Sequence, residues 1–266
     1  MTVGFIGTGN MGGALARAAA RALDPAEIYL CNRTMGKAEE LAEELGAAAA
    51  SAENIARRCD YIFLGVKPAQ ITALLAELRP LLQARETPAV VVSMAAGVTL
   101  QALESSAFAG CPLIRIMPNT ACAVGAGLTL YDCTGAVTEM QLAGFLKGMA
   151  ASGRLERLPE SLIDAGSAVA GCGGAFACLF MEALADGAVS CGLPRDKANV
   201  YAAQMVLGAA QLALESGQPF GAMKDAVCSP GGTTIAGVRA LEEGGFRAAA
   251  MNAVIAAYEK TLALKK

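Results

Sequence analysis

A chain of 266 residues without a single histidine has lost the commonest general base and a common zinc ligand at once. Its nine cysteines, at positions 31, 59, 111, 122, 133, 172, 178, 191 and 228, contain no Cys-x-x-Cys pair, so no metal site is expected. They read as free thiols acting as small buried hydrophobes in a reducing cytoplasm. A nucleophilic cysteine would have no histidine to activate it. The chemistry has to be sought in two glycine-rich segments instead.

The first is Gly7-Thr8-Gly9-Asn10-Met11-Gly12, a Gly-x-Gly-x-x-Gly pattern directly after an apolar run and directly before a helical one. In that setting the first glycine permits a tight turn and the second lets the backbone approach a pyrophosphate. The third allows close helix–sheet packing, and the helix N-terminus faces the phosphates. A dinucleotide site is therefore expected here. At the end of the next strand, Asn32-Arg33-Thr34 holds no acid for a ribose 2′-hydroxyl. Arg33 offers a cation and its neighbours neutral donors, which favours NADP(H), with NAD(H) a second candidate. Arg33 as a solvated loop charge is the plainer alternative. Val66-Lys67-Pro68 and Ala95-Ala96-Gly97 follow two further expected strands, at the edge where open α/β sheets bind ligands. Small residues there leave space for a flat nicotinamide, and Lys67 reads equally as a catalytic cation or a solvated helix-start lysine.

The second segment is Asp225-Ala226-Val227-Cys228-Ser229-Pro230-Gly231-Gly232-Thr233-Thr234. Ser229 fits a helix N-cap and Pro230 the first helical position. The amides of Gly231, Gly232 and Thr233 would then lie unpaired at the positive end of a helix, a cradle for a carboxylate. The Thr234 hydroxyl, one residue on, can donate to or accept from a polar atom of the bound molecule. A capped helix that binds nothing has the same pattern.

These residues need elements to hold them. Short apolar runs at 3–8, 27–32, 60–66, 89–93, 113–117, 127–131 and 154–158 read as strands, and 11–23, 35–45 and 68–83 as helices between them. The alternation predicts a Rossmann-type, doubly wound, mostly parallel sheet over residues 1–159. Residues 160–266 read as an all-helical domain. Its first helix, roughly 161–191, is apolar on nearly all faces, with only Glu182 and Asp186 in its later half. An intertwined homodimer, or a higher oligomer built from dimers, would bury such a helix. The uncharged run 165–181 is at the lower limit for spanning a bilayer and is interrupted by Gly171-Cys172-Gly173-Gly174, so a buried helix is expected and no membrane span. Charge adds that the 21 basic and 24 acidic residues, net -3, are interspersed, which makes nucleic acid and anionic membranes poor partners. Export through a secretion signal is not expected, since no basic stretch stands before the apolar run at Val3, and the expected partner is a small-molecule substrate.

The segment from Ser229 to Thr234, with Asp225 before it and Leu241-Glu242 after it, resembles pyrroline-5-carboxylate reductases. The likeness extends through Gly244-Gly245-Phe246-Arg247, Glu182 to Asp186, Gly192 to Arg195 and Met117-Pro118-Asn119-Thr120, and so over essentially the whole chain. It implies a Rossmann domain followed by an all-α dimerisation domain, and NAD(P)H-dependent reduction of the ring C=N of 1-pyrroline-5-carboxylate to L-proline. It also implies that the dinucleotide lies along Gly7 to Gly12, Asn32 to Thr34, Val66 to Pro68, Ala95-Ala96 and Asn119. The carboxylate would sit in the Ser229 to Thr234 cradle, partly across the dimer, with Thr234 facing the ring nitrogen. Two departures stand near the expected nicotinamide and ring pocket: Gly171-Cys172-Gly173-Gly174-Ala175 where the family reads Gly-Ser-Gly-Pro-Ala, and Ala121 where it has proline. A β-hydroxyacid dehydrogenase fits less well, since no lysine occurs between Gly153 and Cys191 to serve as its catalytic lysine. A non-catalytic NADP-binding regulator would have no use for the Ser229 to Thr234 cradle.

Overall fold

A computed structural model of the chain describes residues 1–263. Eight strands form one sheet: β1 (Val3–Ile6), β2 (Ile28–Cys31), β3 (Ala48–Ala49), β4 (Tyr61–Leu64), β5 (Val90–Ser93), β6 (Leu113–Met117), β7 (Gly127–Cys133) and β8 (Gly153–Arg157). Their spatial order is β3-β2-β1-β4-β5-β6-β7-β8, and every neighbouring pair is parallel except β6 with β7. The first six strands thus follow the doubly wound order of dinucleotide-binding sheets, with the switch point beside β1. Central strands such as β1, β4 and β5 are buried along their whole length, and all but Ser93 at the end of β5 are non-polar or aromatic, because both faces are covered.

Between the strands run α1 (Asn10–Ala22), α2 (Met35–Leu45), α3 (Ala52–Arg58), α4 (Pro68–Gln83), α5 (Leu100–Ser106) and α6 (Glu139–Gly148). Local chemistry sets their ends. Pro68 opens α4 at a position where a missing N–H costs nothing, and Gly46 closes α2 in the left-handed conformation at φ 68°. Thr138 and Gln141 form a reciprocal capping box at the start of α6. Two cores result, one on each face of the sheet. On one, Phe5, Phe63, Phe145 and Tyr131 stack in series; on the other, Ile62, Leu64, Ile71, Leu75 and Leu113 interleave.

The helical part continues as α7 (Glu160–Ala170), α8 (Gly173–Ser190), α9 (Arg195–Ser216), α10 (Phe220–Ala226), α11 (Thr233–Glu243) and α12 (Phe246–Ala263). The single helix expected over 161–191 is thus two, interrupted at Gly171-Cys172. By packing, one unit takes Met1–Gly171 with the chain from Ala257 on, and a second takes Cys172–Ala256. Helix α7 goes with the sheet because its acids are paired there: Arg115 of β6, fully buried, meets Glu160 at 3.1 Å and Asp164 at 2.6 Å.

Within the second unit α8 packs on α9, but the core there is three buried alanines, Ala185, Ala198 and Ala202, with partly buried Met181, Leu184 and Leu193 around them. Large apolar side chains face outward instead, among them Leu179, Val200, Leu214, Phe220 and Met251. The stretch Glu160–Ser190, taken through its break, is long and apolar enough to cross a membrane by length and composition, and only 11% of its most apolar window is buried. The burial expected for this helix is therefore not supplied within the single chain.

Candidate active site

The turn from β1 to α1 is built by three glycines that each meet a different constraint. Gly7 sits at φ 99°, where side chains are rarely tolerated, and its amide donates to the Cys31 carbonyl at 2.8 Å. A Cβ on Gly12 would stand 2.0 Å from the Gly7 carbonyl oxygen, so only glycine lets α1 approach the turn this closely. A Cβ on Gly9 would meet nothing within 4 Å. Gly9 is the N-cap of α1 and has no side-chain cap, so the first amides of the helix are open toward that space. The neighbouring Thr8 Oγ1 is buried without a partner. An orphaned hydroxyl beside an open helix start, with room left where a side chain would go, fits a dinucleotide pyrophosphate. Asn10 and Met11 form the first turn of α1, and Met11 packs against the aromatic core.

The other expected loops reach the same edge, since β1, β4 and β5 end in register at Ile6, Leu64 and Ser93. A Cβ on Gly65 would lie 2.3 Å from the Gly7 oxygen, which places Gly65 to Pro68 directly beside the glycine turn. Lys67 is the exposed N-cap of α4, and no ion pair of Lys67 occurs among the described residues. Ala95 is buried, and Gly97, at φ 76°, turns the chain toward α5. Asn119 follows β6, but its side chain is engaged within the protein: Nδ2 donates to the Ala170 carbonyl at 2.9 Å, and Oδ1 accepts from the Leu128 amide at 3.4 Å.

After β2, the Asn32 Oδ1 accepts from the Arg33 amide, Thr34 occupies the N-cap of α2 without making a cap bond, and Arg33 is exposed. Lys37, which the sequence reading passed over, lies in the first turn of α2. It lines a cavity of about 270 Å³ with Thr8, Arg17, Glu40, Leu41 and Glu44. Arg17 is held by Glu44 across two hydrogen bonds, whereas Arg33 and Lys37 have no acidic partner among the described residues. The signal that could have found Lys37 is its spacing: four residues after Arg33 and inside an acid-free first helical turn.

In the second unit the cradle differs from its expected form. Helix α11 starts at Thr233 with Gly232 as N-cap, so Ser229 is not the cap and Pro230 is not the first helical residue. Residues 229–232 form a tight turn in which Gly231 adopts φ 69° and the Gly232 amide donates to the Ser229 carbonyl at 3.0 Å. Pro followed by Gly is what such a turn selects, and that preference competes with Pro as a helix opener. The unsatisfied donors are consequently the amides of Thr233, Thr234 and Ile235, two residues later than expected. Ser229, Gly231, Thr233 and Thr234 are exposed. Lys224 pairs with Asp225 just before the turn, and Glu242 of α11 pairs with Arg247 of α12, which holds the Glu242 carboxyl below its ordinary range.

Of the nine cysteines, expected as small buried hydrophobes, Cys31, Cys59, Cys111 and Cys122 are buried, whereas Cys178 and Cys191 are exposed. Burial pushes the Cys59 and Cys111 thiols up to about 12, away from the thiolate, and all nine cysteines are free. No group of residues able to hold a metal occurs among the described residues.

Sheet order, glycine turn and orphaned Thr8 together define a two-part oxidoreductase: a dinucleotide-binding α/β sheet followed by a helical unit. Residues 160–264 match the family described as pyrroline-5-carboxylate reductase dimerisation, and residues 2–97 match the family described as NADP oxidoreductase coenzyme F420-dependent. The chain is 40% identical to pyrroline-5-carboxylate reductase of Escherichia coli K12, over 99% of this chain and 98% of that one. Its structure is similar to pyrroline carboxylate reductase of Plasmodium falciparum with NADP bound (TM-score 0.90, 30% identity, 100% and 98% covered). It is also similar to pyrroline-5-carboxylate reductase of Coxiella burnetii (TM-score 0.89, 33% identity, 100% and 98% covered). The chain belongs to the pyrroline-5-carboxylate reductase family.

The glycine turn yields a direct test. Gly9→Val places its side chain where the protein has no atoms, so the unliganded melting temperature should shift by no more than a cap change of about 1 kcal/mol allows. The thermal stabilisation by added NADPH should disappear. A variant that is stabilised as strongly as the parent would remove Gly9 from the cofactor site.

Proposed function

We propose that the protein reduces 1-pyrroline-5-carboxylate to L-proline with NADPH, as a cytoplasmic homodimer or an oligomer of dimers. The single observation that carries this reading is that a chain 40% identical to a named reductase over nearly its whole length holds both the Gly7 to Gly12 turn and the uncapped Thr233 helix start.

The proposed roles follow the geometry. The Gly7 to Gly12 turn, with Asn10 and Met11 opening α1 and the Thr8 hydroxyl beside it, holds the pyrophosphate. Arg33, Lys37 and the uncapped Thr34 hydroxyl, with Asn32, face the ribose 2′-phosphate. Val66, Lys67, Pro68, Ala95 and Ala96 border the nicotinamide, and Asn119 contributes by holding the wall behind it. When bound, the dinucleotide supplies a hydride equivalent. The amides of Thr233 and Thr234, reached across the small Gly231-Gly232 turn after Ser229, take the substrate carboxylate, and the Thr234 hydroxyl meets the ring nitrogen. A cyclic imine protonated in solution is already electrophilic, so holding two reactants in line supplies most of the acceleration and a histidine is dispensable. Residues 160–266 act as the dimerisation domain, which accounts for the outward-facing apolar side chains of α8 and α9. The boundary at 159/160 divides the chain by secondary structure and family match, while by packing α7 goes with the sheet and the second unit starts at Cys172.

The deciding experiment follows nicotinamide absorbance when the purified protein and NADPH meet 1-pyrroline-5-carboxylate, beside a hydroxyacid dehydrogenase substrate pair. Rapid pyrroline-dependent oxidation is expected, and Thr234→Ala should lower kcat/KM by about tenfold or more for a lost hydrogen bond at the reacting ring. Absence of turnover by folded, NADPH-binding protein would overturn the reading. Exchanging Arg33 and Lys37 for alanine together should weaken NADPH binding by roughly tenfold to a thousandfold while leaving NADH nearly untouched. Equal losses for both cofactors would mean that neither side chain reads the phosphate. Sedimentation at micromolar concentration should show a dimer or a multiple of it; a monomer would sink the assignment of α8 and α9 to an interface.

A further inference from the structure

The most unusual buried group in the molecule is the ionic cluster on β6. Arg115 stands on an inner strand of the sheet, fully buried, opposite Ser93 on one side and Asp132 on the other. Its Nη2 meets Asp164 at 2.6 Å and its Nη1 meets Glu160 Oε1 at 3.1 Å. That same Glu160 oxygen accepts the backbone amide of Leu100 at 2.6 Å. Leu100 is the first residue of α5, immediately after the loop that carries Ala95, Ala96 and Gly97.

The far end of α7 is held as well, by Asn119 Nδ2 on the Ala170 carbonyl. The two attachments match in length. From Glu160 to Ala170 a helix rises about 15 Å, and from Arg115 to Asn119 an extended chain spans about 13 Å. Helix α7 is therefore pinned along β6 at both ends, and one carboxylate oxygen joins that helix to the loop after β5. The two walls so joined, the Ala95 to Gly97 loop and the Asn119 segment, are those beside which the nicotinamide is placed. The glycine turn and the Arg33 to Lys37 loop are not touched by this cluster.

We propose that Arg115 and Glu160 are positioning residues for the nicotinamide half of the cofactor site: Arg115 orients the Glu160 carboxylate, and that carboxylate fixes the loop after β5 against α7. The proposal rests on the reading of the site given above and adds to it a frame that acts on one end of the dinucleotide only. Neither residue touches the reacting atoms.

That asymmetry makes the test specific. Adenosine 2′,5′-bisphosphate carries the adenine end and the 2′-phosphate but no nicotinamide, so the ratio of its Kd to that of NADPH reports what the nicotinamide half contributes. Arg115→Met would remove a buried cation that two acids meet and is expected to damage the fold, so the test turns on Glu160. In Glu160→Ala the Kd ratio should fall by roughly fivefold or more as ordering of the loop is lost, with bisphosphate affinity within about twofold of the parent. Glu160→Gln keeps an oxygen for the Leu100 amide and should restore most of the ratio. An unchanged ratio in Glu160→Ala would overturn the proposal, even if thermal stability dropped, because a merely structural role lowers stability alone. Equal weakening of both ligands would overturn it too. Binding of both probes is read without substrate, so a parent protein unable to reduce the pyrroline would refute the proposed reaction and leave this measurement standing.

Discussion

The cofactor edge depends on one backbone approach, the Gly7 carbonyl oxygen lying where a Cβ of Gly12 or of Gly65 would otherwise be, at 2.0 and 2.3 Å. Three glycines at these positions let the end of β1, the start of α1 and the loop after β4 meet with no side chain between them. The remaining features follow from that contact. Because the Gly7 amide is taken by Cys31, the end of β2 is tied to the same point, and the Asn32 to Thr34 loop emerges at the same edge. Because α1 begins immediately at Asn10, its free amides face outward over Gly9, and the Thr8 hydroxyl is enclosed without a protein partner. A buried unpaired hydroxyl costs roughly 1–3 kcal/mol, a penalty that a bound polar ligand can relieve.

How much of this could be read in advance varies with how local the cause is. Helix α2 ends and helix α4 begins where the sequence puts them, since Gly46 and Pro68 are local signals that tertiary context did not override. The strands with β-branched and aromatic runs were legible for the same reason. Strand β3 was not: it is two alanines, a strand only because β2 offers Tyr29 and Leu30 as partners. Helices α3 and α5 are seven residues each, too short for a hydrophobic period, although Ser51 and Thr99 cap them in the usual way. The cradle was legible in composition but not in register, because Ser-Pro-Gly-Gly can open a helix or make a turn, and the hydrogen bond from Gly232 to Ser229 selects the turn. Asn119 shows a further limit. Its place along the dinucleotide is implied by resemblance alone, and the bond from its side-chain amide to the Ala170 carbonyl is set by tertiary packing that no local pattern announces.

The helical unit poses the opposite problem. Its sequence is rich in good helix formers, so the helices are easily found, yet a core of three alanines and their partly buried neighbours is too small to stabilise a unit of this size alone. Leu179, Leu214 and Phe220 each expose more than half of their surface. Burying such side chains stabilises by about 1.5–3 kcal/mol apiece, so a handful of them is comparable to the roughly 5–15 kcal/mol by which domains are ordinarily stable. The stability of this unit is thus tied to whatever covers it, and a second copy with the same apolar face is the simplest cover.

The lack of histidine connects these observations to the chemistry. A reaction whose substrate is already electrophilic asks the protein for position more than for proton transfer, and position demands stiffness in the walls of the site. Small residues such as Ala95, Ala96 and Gly97 give room but no stiffness of their own. Burying Arg115 with two acids is, on general grounds, no more stabilising than an apolar cluster of equal volume. What an apolar cluster could not do is present one oxygen to a guanidinium and a backbone amide at once, as Glu160 does at 3.1 and 2.6 Å. The ionic cluster is therefore better understood through the geometry it imposes than through the stability it adds, and that geometry extends along α7 to Ala170, whose carbonyl Asn119 holds.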